Sequence, residues 1–150
     1  MSEPGYRPPD ISLRGAEHIA RYRETDGAVG YEWNGVPTLL LTTTGRRSGQ
    51  PRTSALIFGR DGDDYLVIAS KGGSPTAPLW YENLTAQPAA EIQVRAQHLP
   101  VVARTASDEE KPRLWKIMTE VWPNYDVYQA RTERPIPVVV LSPTPAAPAA

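Results

Sequence analysis

Residues 42–52 read Thr42-Thr43-Thr44-Gly45-Arg46-Arg47-Ser48-Gly49-Gln50-Pro51-Arg52. An apolar strand, residues 36–41, runs into this stretch, and a strand-like run, residues 53–58, leaves it. The connection carries three threonines, two glycines and three arginines, and no acid. Glycine tolerates positive φ, so main-chain N–H groups can be turned toward a ligand. Arginine forks match phosphate and carboxylate oxygens in pairs. The loop is therefore suited to an anion, set against the plainer reading of a solvated basic turn. It is not a P-loop, because the Lys-Ser/Thr pair and the following helix are missing, which disfavours ATP or GTP hydrolysis.

A second glycine-rich turn, Ser70-Lys71-Gly72-Gly73, ends another strand-like run, residues 65–70. Two cation-bearing strand ends in one small fold can converge on one anionic ligand. With Trp80 nearby, a flat ligand with a phosphate tail fits, although Trp80 and Tyr81 equally suit ordinary core packing. Trp122, Tyr125 and Tyr128 form a second aromatic cluster after a helix. Such spacing is usually core, yet Pro123, Asn124 and Asp126 argue that some rings stay exposed. A tyrosine hydroxyl can hydrogen-bond or protonate a substrate oxygen that gains negative charge. Ser48, Ser54 and Ser70 have no histidine near them in sequence, so no nucleophile–base pair is visible. Asp108-Glu109-Glu110 reads as a helix N-terminus. Any hard chemistry then belongs to a bound cofactor.

Working outward, residues 1–10 hold Pro4, Pro8 and Pro9 and read as a mobile lead-in. Ser12 is a candidate cap for a basic helix over 13–24, a surface helix or lid with a weak membrane-surface contact as an option. Residues 37–43 form a strand buried on both faces, given Leu39-Leu40-Leu41. Runs 53–59 and 65–70 flank Asp61-Gly62-Asp63 as an antiparallel hairpin. Residues 78–84 read as a helix. Ile92 and Val94, then Leu99, Val101 and Ala103, alternate as a second hairpin turning near Gln97-His98. Ser107 to Glu110 is a capping-box pattern before a helix whose apolar face is Leu114, Ile117, Met118, Val121 and Trp122, with Pro112 close to its start. Residues 138–141 form a last buried strand, and 143–150 a Pro/Ala-rich tail. About six mostly antiparallel strands with flanking helices predict a mainly β, α+β fold closed into a small barrel, one domain over residues 11–142. A parallel dinucleotide fold is excluded by the missing strand–helix alternation and G-x-G-x-x-G loop.

The 150 residues suit one core. The formal charge of −1 gives no global field toward nucleic acid. The chain has no cysteine, which removes disulfides, thiolate metal sites and cysteine nucleophiles. His18 and His98 lie far apart, so no metal ligand set has the usual spacing. No run resembles a signal peptide or membrane span, and the cytoplasm is the default location.

Four stretches in order carry a family resemblance: 34–37 with 41–52, Ala69-Ser70-Lys71-Gly72-Gly73, Pro78-Leu79-Trp80-Tyr81-Glu82-Asn83-Leu84, and Trp122-Pro123-Asn124-Tyr125-Asp126-Val127-Tyr128-Gln129 running on to Arg134-Pro135-Ile136-Pro137-Val138-Val139. Together they strongly resemble the deazaflavin-dependent nitroreductase family over roughly residues 20–143. The resemblance implies a split β-barrel of the flavin-reductase type binding reduced coenzyme F420, whose tail carries a phosphodiester and glutamates. By the same resemblance, Arg46, Arg47, Ser48, Gly49 and Arg52 hold the acidic tail. Ile68, Ser70, Lys71, Gly72, Leu79 and Asn83 line the deazaflavin and its ribityl chain, and Tyr125 and Tyr128 border a small electrophilic substrate. It implies hydride transfer to quinones, activated enones or nitro compounds. Members active on bicyclic nitroimidazoles tend to carry tyrosine where this chain has Ile57 or Phe58, and one aromatic of the substrate rim is Trp122 or Val121 here, depending on alignment. Quinone or enone reduction depends less on those positions. FMN on the same barrel, or a deazaflavin carrier without turnover, are the alternatives, with monomer or homodimer left open.

Overall fold

The computed structural model describes residues 5–144. Eight strands and four helices alternate along them: α1 (Gly15–Thr25), β1 (Glu32–Trp33), β2 (Val36–Thr44), β3 (Pro51–Ile57), β4 (Gly59–Asp61), β5 (Asp64–Ile68), α2 (Leu79–Ala86), β6 (Ala89–Val94), β7 (Gln97–Thr105), α3 (Lys111–Val121), α4 (Asn124–Ala130) and β8 (Val138–Pro143), with a 3-10 turn at Lys71–Gly73. All the strand pairings are antiparallel. The strand order is β1-β2-β6-β7-β8-β5-β4, with β3 on the other edge of β2.

The run from β3 into β4 closes this sheet. Its first part pairs with β2, Thr43 opposite Arg52 and Thr38 opposite Ile57. After Phe58 it pairs with β5, Gly59 opposite Leu66. The hairpin expected between 53–59 and 65–70 is thus only three residues long on the β4 side, and the main hairpin is β2–β3 around the basic loop. A strand that changes partner at a corner looks in sequence like one strand. The two strands beyond the expected six are the two-residue β1 and the three-residue β4.

Strand alternation sorts the core into two layers. Leu39, Leu41, Tyr65, Val67, Val139 and Leu141 point into the barrel with Phe58, Trp80 and Ile92. From β5 and β8, Leu66, Ile68, Val138 and Val140 point outward and are covered by Leu114, Met118, Trp122 and Tyr125. Leu40, on the other face of β2, is also buried, as the unbroken apolar run predicts.

Several local expectations are corrected. Ser12 does not cap α1; its N–H donates to the Asp10 carboxylate, and Arg14 precedes the helix without a side-chain cap. The buried residues of α1 are His18 and Tyr22. The fully buried Tyr22 hydroxyl accepts the Arg95 N–H at 2.8 Å and shares its proton between the carbonyls of Thr38 and Gln93. Burial raises its pKa. The β6–β7 turn falls at Arg95-Ala96, Arg95 taking φ +56°, because Gln97 already pairs with Val94. The capping box is made: Ser107 N–H donates to Glu110 at 2.8 Å and Glu110 N–H to the Ser107 hydroxyl at 3.3 Å. The helix itself begins at Lys111, which puts Pro112 in its first positions, where no N–H is needed.

The lead-in expected to be mobile is tied down where it is described. Arg7 and Asn124 exchange two hydrogen bonds, at 2.9 and 2.8 Å, and Asn34 does the same with Asp10. Of the expected tail, Pro143 pairs with Val101 and Thr144 N–H donates to Pro100. Residues 1–4 and 145–150 lie outside the described residues. Among the described residues no helix is long and apolar enough to cross a membrane.

Candidate active site

The basic loop between β2 and β3 is a stiff turn. Gly45 N–H donates to Gln50, Gly49 N–H to Gly45, and Gln50 N–H to the Ser48 hydroxyl. A side chain at Gly45 would meet the Ser48 hydroxyl at 2.6 Å, so the turn needs glycine there. Helix α2 holds the loop from the side. The buried Asn83 amide accepts the Arg46 N–H at 3.1 Å and donates to Thr43 Oγ1 at 3.2 Å, and Arg46 reaches Glu82 at 3.4 Å. The result is a groove of 370 Å³ lined by Gly45, Arg46, Arg47, Ser48, Arg52, Leu79 and Asn83. Its donor set is three guanidinium groups and a hydroxyl, with Leu79 as an exposed apolar lip. That chemistry suits a chain of phosphate and carboxylate groups.

Ser54 and Trp80 border this groove and also a larger cleft of 740 Å³, so the two spaces adjoin. One wall of the cleft is β3, from Thr53 to Ile57. Ile68, Ser70, Lys71 and Gly72 form its end, and Pro78 and Trp80 its side. The opposite wall is aromatic. Trp33 and Trp122 sit 5.7 Å apart, His18 stacks on Trp33, and Tyr125 and Tyr128 meet edge-to-face at 6.0 Å. The first turns of α1 complete the wall through Arg14, Ala16 and Ile19.

The two tyrosines differ in environment. Tyr125 is buried, and burial, with Tyr128 beside it, pushes its phenol well above the ordinary tyrosine value. The Tyr128 oxygen accepts the Trp122 indole N–H at 3.3 Å. Among the described residues the Tyr128 hydroxyl donates to no group, and Tyr128 lines the cleft.

The structure thus brings Ile68, Ser70, Lys71, Gly72, Tyr125 and Tyr128 to the cleft, and Arg46, Arg47, Ser48, Arg52, Leu79 and Asn83 to the groove. Gly49 lines neither; at φ +71° it turns the loop. Asn83 spends its amide on the loop and Thr43, and so acts as a tether. The sequence reading missed Trp33, His18 and the wall from β3. Trp33 lies between the turn dipeptides Asp26-Gly27 and Asn34-Gly35, and an aromatic there was the available sign. Its indole N–H donates to Leu13 at 2.7 Å and hangs the start of α1 over the cleft.

Comparison with known proteins gives this geometry a family. Residues 14–143 match the family model described as F420H(2)-dependent quinone reductase. An F420H(2)-dependent quinone reductase of Mycobacterium tuberculosis is 50% identical over 129 residues, which cover 83% of this chain and 87% of that protein. A solved F420-H2 dependent reductase is 39% identical, with a TM-score of 0.66, over 71% of this chain and 94% of its own. Another solved chain, described as a domain-swapped dimer, is 37% identical with a TM-score of 0.69, over 84% of this chain and 95% of its own. These matches give F420 as the cofactor and leave FMN without support; membership of a reductase family sets aside the carrier without turnover. The split barrel, the basic groove and the aromatic cleft agree with what the matches say: the chain belongs to the F420H(2)-dependent quinone reductase family and is an F420-dependent oxidoreductase.

Proposed function

We propose that this chain reduces quinone-type electrophiles, with the acidic tail of F420 along Arg46, Arg47 and Arg52 and its ring beside Ile68, Ser70, Lys71 and Gly72. One observation carries this reading: a basic groove and an aromatic cleft adjoin at Ser54 and Trp80. Ser48 fixes the turn that presents the arginines, and Asn83 holds that turn against α2. When bound, the reduced deazaflavin supplies a hydride. The chain's own residues bind and orient the reactants, and Tyr128 delivers a proton to the substrate oxygen. Tyr125, whose phenol stays protonated at any working pH, packs against it. The aromatic wall selects flat substrates. Ile57 and Trp122 both line the cleft; members active on bicyclic nitroimidazoles tend to carry tyrosine where this chain has Ile57 or Phe58, and the rim aromatic at Trp122 or Val121 departs too, which favours quinones and enones.

The test begins with anaerobic titration of oxidised F420 and of FMN, followed by tryptophan fluorescence. F420 should quench strongly and FMN weakly, and reduced F420 should then be oxidised only when a quinone such as menadione is added. Binding without quinone-dependent oxidation would sink the reductase reading. Replacing Arg47 or Arg52 by alanine should weaken F420 roughly tenfold or more, since a charge-assisted contact contributes about 1.5–3 kcal/mol. Unchanged affinity would remove the tail from this groove.

A further inference from the structure

Arg134 lies in the Arg134-Pro135-Ile136-Pro137 segment between α4 and β8, outside both cavities. Among the described residues its guanidinium donates to main-chain carbonyls alone: Nε to Ser74 at 2.8 Å, the two terminal nitrogens to Ala69 at 3.3 Å, and one of them also to Ser70 at 2.8 Å. None of the ion pairs among the described residues involves it. Its own backbone is fixed, because the Gln129 amide donates to the Arg134 carbonyl and accepts the Ile136 N–H, each at 2.9 Å. Arg131 donates to Gly72 O at 3.1 Å.

These contacts decide which edge of the loop faces the cleft. A trans peptide points its N–H opposite its C=O, and there are no cis bonds here. With the Ala69 and Ser70 carbonyls drawn to Arg134, the Ser70 and Lys71 N–H groups point away from it. Ser70 is right-handed helical (φ −85°, ψ −40°), whereas Lys71 and Gly72 have φ of +46° and +63°. Successive amides in that sequence of conformations converge on a concavity that favours negative charge. The N–H groups of Ser70, Lys71 and Gly72 donate to no other group among the described residues. All three residues line the cleft.

We infer that Arg134 is a positioning residue for F420: it gathers the carbonyls of the Ala69–Ser74 loop on the outer side, so that the amide edge faces the deazaflavin and favours the anionic form of the reduced ring. This rests on the F420 reading above. The fork matters as much as the charge, since a planar guanidinium spans carbonyls on two sides and a lysine ammonium does not.

The experiment measures dissociation constants of oxidised and reduced F420, anaerobically, for the wild-type chain, Arg134→Gln and Arg134→Lys, with melting temperatures of the unliganded proteins. Both variants should lose roughly tenfold more affinity for reduced than for oxidised F420. An equal loss for both redox forms, no loss, or full rescue by lysine would overturn the positioning role. Should the variants fail to fold, the wild-type chain still decides: the ring ionisation of bound reduced F420, followed by its absorbance against pH, should fall below its value in solution. An unshifted ionisation overturns the inference. Failure of the wild-type chain to bind F420 at all would instead overturn the functional reading on which it rests.

Discussion

At the scale of single residues, the substrate end of the site turns on what Tyr128 can do. Its oxygen accepts the Trp122 indole N–H, and among the described residues its hydroxyl donates to no group. Positioned proton donors typically contribute 10²–10⁴-fold. Tyr128→Phe should therefore lower kcat on a quinone by about a hundredfold with F420 affinity unchanged, whereas Tyr125→Phe should cost less. Equal, small effects in single-turnover kinetics would leave the proton to water. Gly73 sets the position of the same tyrosine. At φ +84°, a side chain there would lie 2.5 Å from the Tyr128 carbonyl and 2.9 Å from Arg131 Cβ. Gly73→Ala must strain the loop and push α4 outward. We expect a loss of about 1–3 kcal/mol from the backbone strain, read as a melting temperature lower by several degrees, together with weaker F420 binding. A variant as stable as wild type would show that the loop and α4 separate easily.

At the scale of elements, the tail groove is a loop held by a helix. Asn83 of α2, which is buried, makes the one side-chain bond to the loop backbone that comes from another element among the described residues, the other being the loop's own Ser48 to Gln50. Asn83→Ala would strand the Arg46 N–H and leave the Thr43 hydroxyl only its long bond to the Arg52 carbonyl. We expect a cost of about 1–3 kcal/mol and a several-fold loss of F420 affinity, measured by denaturant unfolding and by titration. Lost stability with unchanged affinity would mean that the loop keeps its shape without the tether. The elements themselves were mostly legible. Leu39-Leu40-Leu41 announced a strand buried on both faces, and the glycines with arginines announced the loop. The corner at Phe58 was not legible, because a strand that leaves β2 for β5 keeps one unbroken pattern of side chains. Helix α1 was legible only as a surface helix or lid, and its anchor was hidden for a related reason. Its hold on the barrel is two polar rings, Tyr22 and His18, whose partners are backbone carbonyls and an amide distant in sequence. Hydropathy counts see only a weak apolar stripe there. His18 and Trp33 consequently entered the site only once the chain was folded.

At the scale of the molecule, α3 is clipped to the barrel at two places by ion pairs. Arg104 on β7 pairs with Glu110 just before α3. Arg113 within α3 grips the Asp61 carboxylate of β4 with two bonds, at 2.9 and 3.1 Å. Arg104, helped by the Ser107 N–H, holds the Glu110 carboxyl down from its ordinary 4.5 to about 2, and Arg113 holds Asp61 below its ordinary value. Both folded values lie below the unfolded ones. The stabilisation is therefore complete above the unfolded pKa and is lost as pH falls through the folded one. For Glu110 that window runs from about pH 4.5 down to about 2. Both carboxylates are solvent-accessible, so salt should screen the effect. The double variant Asp61→Asn, Glu110→Gln should be less stable than wild type at neutral pH. Its melting temperature should fall less steeply across the acid window, so that the two curves converge near pH 2. One molar salt should shrink the neutral-pH gap. Because α3 and α4 carry Trp122, Tyr125 and Tyr128, acid that loosens these clips should also release the aromatic wall, seen as a change in tryptophan fluorescence that precedes loss of the far-ultraviolet β signal. Parallel acid curves for wild type and double variant would assign acid lability to other carboxylates, and simultaneous loss of both signals would mean that the helices and the barrel unfold as one unit.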